Sequence, residues 1–437
     1  MRSMLLIALI LGALPFVLWT PHLGVLIWAW VSFMVPHRLT FGMAHGFPFA
    51  QVVFLTTITA WILSREPKTL PFTPTTVLFA LFFGWITLTT LVAVNPDAAW
   101  IKWNEAWKKF LGVALILALM RSRGRIVALV AVIAGSLAFY GVKGGLFTLL
   151  SGGRHIVMGP PGSYIQDNNA LAVAMAMSLP LLWFLRGQTG NYLVRMGLLG
   201  AAGLVTVAVI GTFSRGGFLT LSVMLGFLWL RSPHKVVTAG VFAVLVALAL
   251  TVIDDRWFDR INTIQEYEED GSARGRIEAW GHALNIVASR PLTGAGFEAF
   301  LPSVFAIYTP DIRPRAAHSI YFEVLGEHGV PGLALFLTIG LVAFRNCAWV
   351  RRAARGRADL AWAAQLASLL PVTFAAYAVG GAFLSIAYLE PLYALIAIAA
   401  LMRWVVAREV ARQPGRADRG SAPLRGDDTR WNAPLPQ

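Results

Sequence analysis

The chain has 437 residues, 57% of them hydrophobic and only 13% charged, with a formal net charge of +14. A soluble domain carries about 25% charged residues, so this composition excludes one. Lysine and arginine collect in short loops beside membrane spans, so the positive balance marks topology, and no nucleic-acid partner is expected. A single cysteine, Cys347, excludes an intramolecular disulfide and any cysteine-based metal site.

In chain order, residues 4–36 hold two short apolar runs parted by Pro21. The first follows Arg2 without a small-residue cleavage site, so no cleaved leader is expected. Loop charge asks for one net crossing here, by a broken or strongly tilted segment, if the N-terminus is cytoplasmic. Apolar runs long enough for spans follow at 47–64, 75–94, 107–121, 126–148, 168–186, 196–213, 216–230, 236–253, 330–346, 360–382 and 386–404. The expected fold is an all-α polytopic membrane protein with about 12 transmembrane helices. Basic clusters at Arg65/Lys68, Arg121/Arg123/Arg125, Arg186/Arg195, Arg231/Lys235, Arg345 to Arg357 and from Arg408 onward fall in alternate loops. Those loops read as cytoplasmic. Loop 149–167, the turn at 214–217 and the long segment 254–329 then read as periplasmic.

Four parts result: N-terminal spans (1–253), a large partly helical periplasmic loop (254–329), C-terminal spans (330–406) and a polar tail (407–437). The tail is rich in Pro, Gly and charge and reads as disordered. The stretch "WIKWNEAWKKF" (100–110) sets Trp100, Trp103 and Trp107 near one helical face, as in a helix lying at the headgroups.

The long loop is where chemistry concentrates. "SARGRIEAWGHALNIVASRPLTGAGFEAF" has Ile277, Trp280, Ala283, Leu284 and Val287 at helical spacing and reads as an amphipathic helix ending near "SRP". Its "GAGF" lacks a preceding strand and a third glycine, so it reads as a turn. In "AAHSIYFEVLGEHGVPG" a short helix is capped by His318 or Ser319, buries Tyr321, Phe322 and Leu325, and ends at Gly329. Pro331 opens the next helix. Neither an Asp-x-Asp pair nor HExxH occurs, so no metal and no cofactor is expected. The central thirds of the runs carry no Asp, Glu, Lys or Arg, which speaks against a transporter.

Ionisable residues gather instead at the expected periplasmic edge: Lys143, Arg154, Arg215, Arg276, Arg313, Arg315, His318, Glu323 and Glu327. Arg215, in the very short "TFSRGGF" hairpin, either snorkels to headgroups or meets a ligand. Arg276 either faces water on its helix or joins it. Several guanidinium groups on one rim suit an anion entering from the bilayer, such as a lipid diphosphate. Arg154, Gln166, Asp167 and Asn168 stand where they can reach sugar or phosphate. Arg313 and Arg315 are further phosphate contacts or partners of Asp311. Glu323 orients His318 or an arginine, or faces water, and water is the expectation for Glu327. His282 and His328 have no assigned role.

Three stretches, "SRGGF", "RIEAW…SRPLTGAGFEAF" and "AHSIYFEVLGEHGVPGL", together resemble the signature of the O-antigen ligase and polymerase superfamily. The N-terminal half, with "PHRLTFG", "FYGVKGGLFTLLSGG" and "GPPGSYIQDNNALA", is similar to O-glycosylation ligases associated with exosortase systems. The resemblance implies a GT-C-type, inverting, metal-independent glycosyltransferase. Its donor is a glycan on undecaprenyl diphosphate and its acceptor a hydroxyl, typically of lipid A–core in lipopolysaccharide biosynthesis. The resemblance also implies a multi-pass protein among the lipids of a bacterial inner membrane, with its active site on the periplasmic side. By motif, Arg215 and Arg276 would bind the diphosphate and His318 would be the base. A protein hydroxyl or a growing glycan is the alternative acceptor, and a transporter of lipid-linked sugars is the less favoured class.

Overall fold

The computed structural model describes residues 2–231 and 271–412, together with residues 235, 236, 239 and 240. The expected span at 236–253 lies almost wholly outside these residues, as do positions 254–270 and the tail from 413. Among the described residues all regular structure is helical. Among the described residues seven helices are long and apolar enough to cross a membrane, and three shorter ones are largely apolar. This is a helical, multi-pass membrane protein.

The first two helices, α1 (Arg2–Trp19) and α2 (Pro21–Met34), are parted only by Thr20. Pro21 opens α2 in the first turn, where its missing N–H has no bond to lose. The Ala44 N–H donates to Ser3 Oγ at 3.0 Å, so the start of α1 lies beside the chain just past the end of α2. The two helices therefore run antiparallel. Tyr164 Oη donates to the Phe33 carbonyl at 2.9 Å, and the Tyr140 hydroxyl donates to that of Met34. Both bonds tie the end of α2 to the end of the bundle that carries loop 149–167. Residues 4–36 thus pass along the bundle twice. The broken or tilted segment expected here is a pair of antiparallel helices joined by a sharp turn at Thr20–Pro21.

The bundle continues with α3 (Phe49–Leu63), α4 (Pro74–Leu91), α5 (Pro96–Leu119), α6 (Arg123–Leu150), α7 (Asn168–Gln188), α8 (Tyr192–Gly211) and α9 (Arg215–Arg231). Several starts follow local rules. Thr73, Asn95 and Ser122 each accept a hydrogen bond from an N–H in the first turn, and Pro74 and Pro96 stand just inside. The Trp-rich stretch and the apolar run after it form one continuous α5, not a headgroup helix followed by a span. Lys108 and Lys109 therefore sit mid-helix, and Lys109 Nζ donates to the Tyr388 carbonyl at 3.1 Å. The expectation of uncharged helix centres fails there.

Beyond the undescribed stretch come α10 (Gly271–Ser289), α11 (Pro302–Tyr308), α12 (Ile320–Ala353), α13 (Ala361–Gly381) and α14 (Glu390–Arg412). The helix α14 runs past the expected boundary at 406. Helices apolar all round belong in the middle of a bundle, and α14 buries every residue from Pro391 to Met402. Small residues let neighbours approach closely. A Cβ on Gly145 of α6 would fall 2.2 Å from the Leu204 carbonyl oxygen of α8.

A candidate active site at one end of the bundle

Arg215 is the first residue of α9, and its position is stitched to the start of α7. Ser214 caps α9 by accepting from the Gly217 N–H at 2.9 Å, and its own hydroxyl donates to Asn169 Oδ1 at 2.7 Å. Asn168 Nδ2 donates to the Thr212 carbonyl at 2.8 Å. Asp167 caps α7, accepting from the N–H groups of Asn169 and Ala170 at 2.8 and 3.2 Å. The Val157 N–H bonds the Gly211 carbonyl at 2.9 Å, so the loop bearing exposed Arg154 joins the same turn.

A second set comes from α10 and the segment after α11. Trp280 Nε1 donates to the Ala317 carbonyl at 3.0 Å, and its ring stacks on Phe322 with centroids 4.9 Å apart. Arg315 crosses the second turn of α10. Its Nη1 would lie 1.7 Å from a Cβ at Gly275, and its Nη2 pairs with Glu278 at 3.4 Å. Arg276 is half-buried on that helix, whereas Arg313 is exposed.

His318 follows Ala317 in the left-handed region at φ 46°, which is uncommon for a non-glycine residue and mildly strained. Its N–H donates to Ser385 Oγ at 2.8 Å, and the buried residues Ala317 and Ser319 flank it. The residue is pinned by its backbone while its side chain stays open to solvent. Partial burial of the ring holds its pKa below the ordinary 6.5, Arg276 and Arg315 push the same way, and Asp167 opposes them. These four groups therefore share one electrostatic neighbourhood, and the Ser214–Asn169 bond ties the residue before Arg215 to the helix start that Asp167 caps. The backbone of Ser319 opens α12, and its side chain makes no capping bond.

The first helical stretch of α12 differs from expectation. Its buried stripe is Ile320, Val324, Glu327 and His328, while Tyr321, Phe322 and Leu325 are only half-buried. Glu327 does not face water. Its Oε1 accepts from the Glu298 N–H at 3.1 Å and its Oε2 from the Tyr388 hydroxyl at 2.7 Å. Tyr388 Oη lies 2.8 Å from His328 Nε2, and His328 Nδ1 lies 2.7 Å from Thr89 Oγ1. Thr89 Oγ1 also donates to the Ile86 carbonyl at 3.0 Å, so the donor in each of the two His328 bonds is set by the histidine tautomer. Glu323 Oε2 accepts from the Ala387 N–H at 3.0 Å, which gives it a role in fixing the 385–388 segment. His282 is likewise internal. It lies flat on Phe305, between Thr309 Oγ1 at 2.8 Å and the Ala299 carbonyl at 3.0 Å.

Gly329 breaks α12 at φ 66°, ψ −169°, a glycine-only conformation. A helix end leaves its last carbonyls without partners, and here three are met from outside. The Ala295 N–H bonds Gly326 O and the Gly296 N–H bonds Glu327 O, both at 2.9 Å, while Trp85 Nε1 bonds His328 O at 2.9 Å. The "GAGF" stretch is thus a turn, and its work is to clasp the helix end that carries Glu327.

Residues 1–226 match the model of a family of unknown function, DUF5935. This covers more than half of the 437 residues. The chain belongs to DUF5935. Residues 200–337 of this DUF5935 member match the O-antigen ligase family model, Wzy_C. That span holds Arg215, Arg276, Arg313, Arg315, His318, Glu323 and Glu327, whereas Arg154 lies in the N-terminal part. The match supports ligase- or polymerase-type chemistry of that superfamily. No curated protein matches the chain.

Proposed function

We propose that this protein is an inverting, metal-independent glycosyltransferase of the GT-C type that moves a glycan from undecaprenyl diphosphate to an acceptor hydroxyl. The observation that carries this reading is His318, strained and backbone-pinned within the electrostatic reach of Arg276 and Arg315, inside the stretch that resembles O-antigen ligases. Arg215 and Arg276 hold the diphosphate, with Arg315 and Arg313 beside it and Arg154 on the adjoining loop. A diphosphate is a good leaving group and chiefly needs its developing charge stabilised, which guanidinium groups do without changing protonation state.

The acceptor oxygen attacks the anomeric carbon as His318 takes its proton. The bond from that carbon to the phosphate oxygen breaks, and undecaprenyl diphosphate leaves with the electron pair. A histidine held below its ordinary pKa is neutral at pH 7 and free to accept that proton. The His318 end of the bundle faces the periplasm of a bacterial inner membrane, because the basic loops mark the opposite end. With two passes in residues 4–36, the start of the chain shares the His318 end. Lipid A–core is the acceptor in this reading, with a protein hydroxyl or the next lipid-linked repeat as the alternative. The exosortase-type resemblance of the N-terminal half keeps the protein acceptor in view.

The test mixes purified protein with an undecaprenyl-diphosphate glycan and each acceptor separately. Glycosylated lipid A–core and an equal amount of free undecaprenyl diphosphate are expected. Transfer to none of the three acceptors would sink the reading, and transfer to another acceptor would redirect it.

A further inference from the structure

Helices α2, α3 and α5 border a half-open cavity of about 490 Å³, within the usual range for a small-molecule site. Its lining is chemically mixed. Trp28 and Trp107 supply flat apolar surface, and Glu105, Lys108, Lys109 and Glu390 supply two carboxylates and two ammonium groups. Ser32 and Gln51 add a hydroxyl and an amide. The charges offset one another, so neither a bare anion nor a bare cation is favoured. An apolar occupant would strip water from these polar groups without replacing its hydrogen bonds. A sugar ring meets both demands, with C–H faces for the tryptophans and hydroxyls for the rest.

Two parts of the wall are close in sequence to the His318 neighbourhood. Ser385, which accepts from the His318 N–H, precedes Glu390 by five residues, and Tyr164 stands three residues before Asp167. Five residues span at most ~18 Å when fully extended, so Glu390 in the wall lies within that distance of the residue that holds the His318 backbone. Leu55, also in the lining, is 63% exposed on the apolar outer face of α3. The mouth therefore adjoins the surface where the lipid part of a lipid-linked glycan would lie.

We propose that this cavity is a carbohydrate subsite holding sugar units remote from the reacting bond, an inference that rests on the glycosyl-transfer reading above. The sugars belong either to the acceptor or to the donor glycan, and the two arms of the test tell these apart.

Full-length protein in phosphatidylcholine nanodiscs is irradiated with a diazirine-tagged, lipid-free core oligosaccharide in one arm and a diazirine-tagged O-antigen repeat in the other. Adducts are mapped by mass spectrometry. Label is expected on residues 50–55 or 105–109, competed by the untagged sugar, and the arm that labels names the source. Ala50→Trp, which fills the cavity from α3, should lower that label at least tenfold, as should Trp107→Ala. The competition needs no variant, so a poorly folding Ala50→Trp leaves the test intact. Label that is not competed, that falls only on 313–322, or that persists unchanged in both variants would overturn the subsite. Labelling requires no transfer. Competed label without turnover would discard the proposed reaction and keep the subsite, whereas turnover without competed label would do the reverse.

Discussion

Two polar groups border the first turns of α12, and they are built on opposite terms. The rim group of His318, Arg276, Arg315 and Asp167 leans positive and keeps its histidine side chain open to solvent. The inner group of Thr89, His328, Tyr388 and Glu327 lies buried in one continuous chain of hydrogen bonds. A buried network that is fully bonded fixes structure and has little bonding capacity left for a substrate. An open rim can exchange water for a ligand. On the proposed reading the first group carries chemistry and the second shape, although both contain a histidine and a carboxylate.

The sharpest way to break that assignment is to remove each histidine. His318→Gln keeps a hydrogen-bonding side chain but cannot serve as a base, so turnover should fall by ~10²–10⁴ while donor binding and thermal unfolding stay near wild type. Near-normal turnover in this variant would leave His318 as a positioning residue only. Next in size are the arginines. Arg215→Lys and Arg276→Lys keep charge but lose the planar fork. Donor affinity, measured in nanodiscs, should weaken by the worth of a charged hydrogen bond, roughly 1.5–3 kcal/mol. Unchanged affinity would return both residues to the headgroup and solvent roles.

Tyr388→Phe tests the inner group. It leaves Glu327 and His328 each short of a partner, at a cost of about 1–3 kcal/mol in stability. The expected readout is a lower unfolding midpoint, with turnover per folded molecule little changed. Loss of turnover at unchanged stability would move the inner group into the chemistry and erase the contrast.

Parts of this arrangement were legible in the sequence. Apolar runs gave most helices, and the Gly329–Pro331 spacing marked the break in α12. The stripe Ile320, Val324, Glu327, His328 has the i, i+4, i+7, i+8 spacing of a buried helix face, so the burial of Glu327 was available and the aromatic residues drew the reading to the wrong face. The 385–388 segment could not be inferred, because Ser385 and Tyr388 meet His318 and Glu327 only across more than 60 positions of chain. The two passes in residues 4–36 were also hidden. A prolyl turn permits both a kink and a reversal, and only the Ser3–Ala44 contact decides between them. The interior position of Lys109 is hidden in the sequence, because the Trp-rich stretch and the apolar run after it look like a headgroup helix and a span, whereas one helix runs through.

The smallest expected effect is also the most specific, because its sign reverses between two variants. In a profile of kcat/KM against pH, the acid limb reports the base of the free enzyme. Activity is kept while His318 is neutral and is lost as pH falls through its pKa. Burial of the ring, then Arg276 and Arg315, hold that pKa below 6.5, and Asp167 pulls it up. Arg276→Gln removes a positive neighbour, so the imidazolium forms more readily and the limb moves to higher pH. Asp167→Asn removes a negative neighbour, and the limb moves to lower pH. Asparagine caps a helix about as well as aspartate, so α7 should keep its start and the shift should report charge alone. Measured on residual rates at fixed ionic strength, opposite displacements tie the limb to a group lying between these two side chains. If both variants move it the same way, or neither moves it, the limb belongs to another group and His318 loses its claim to the proton.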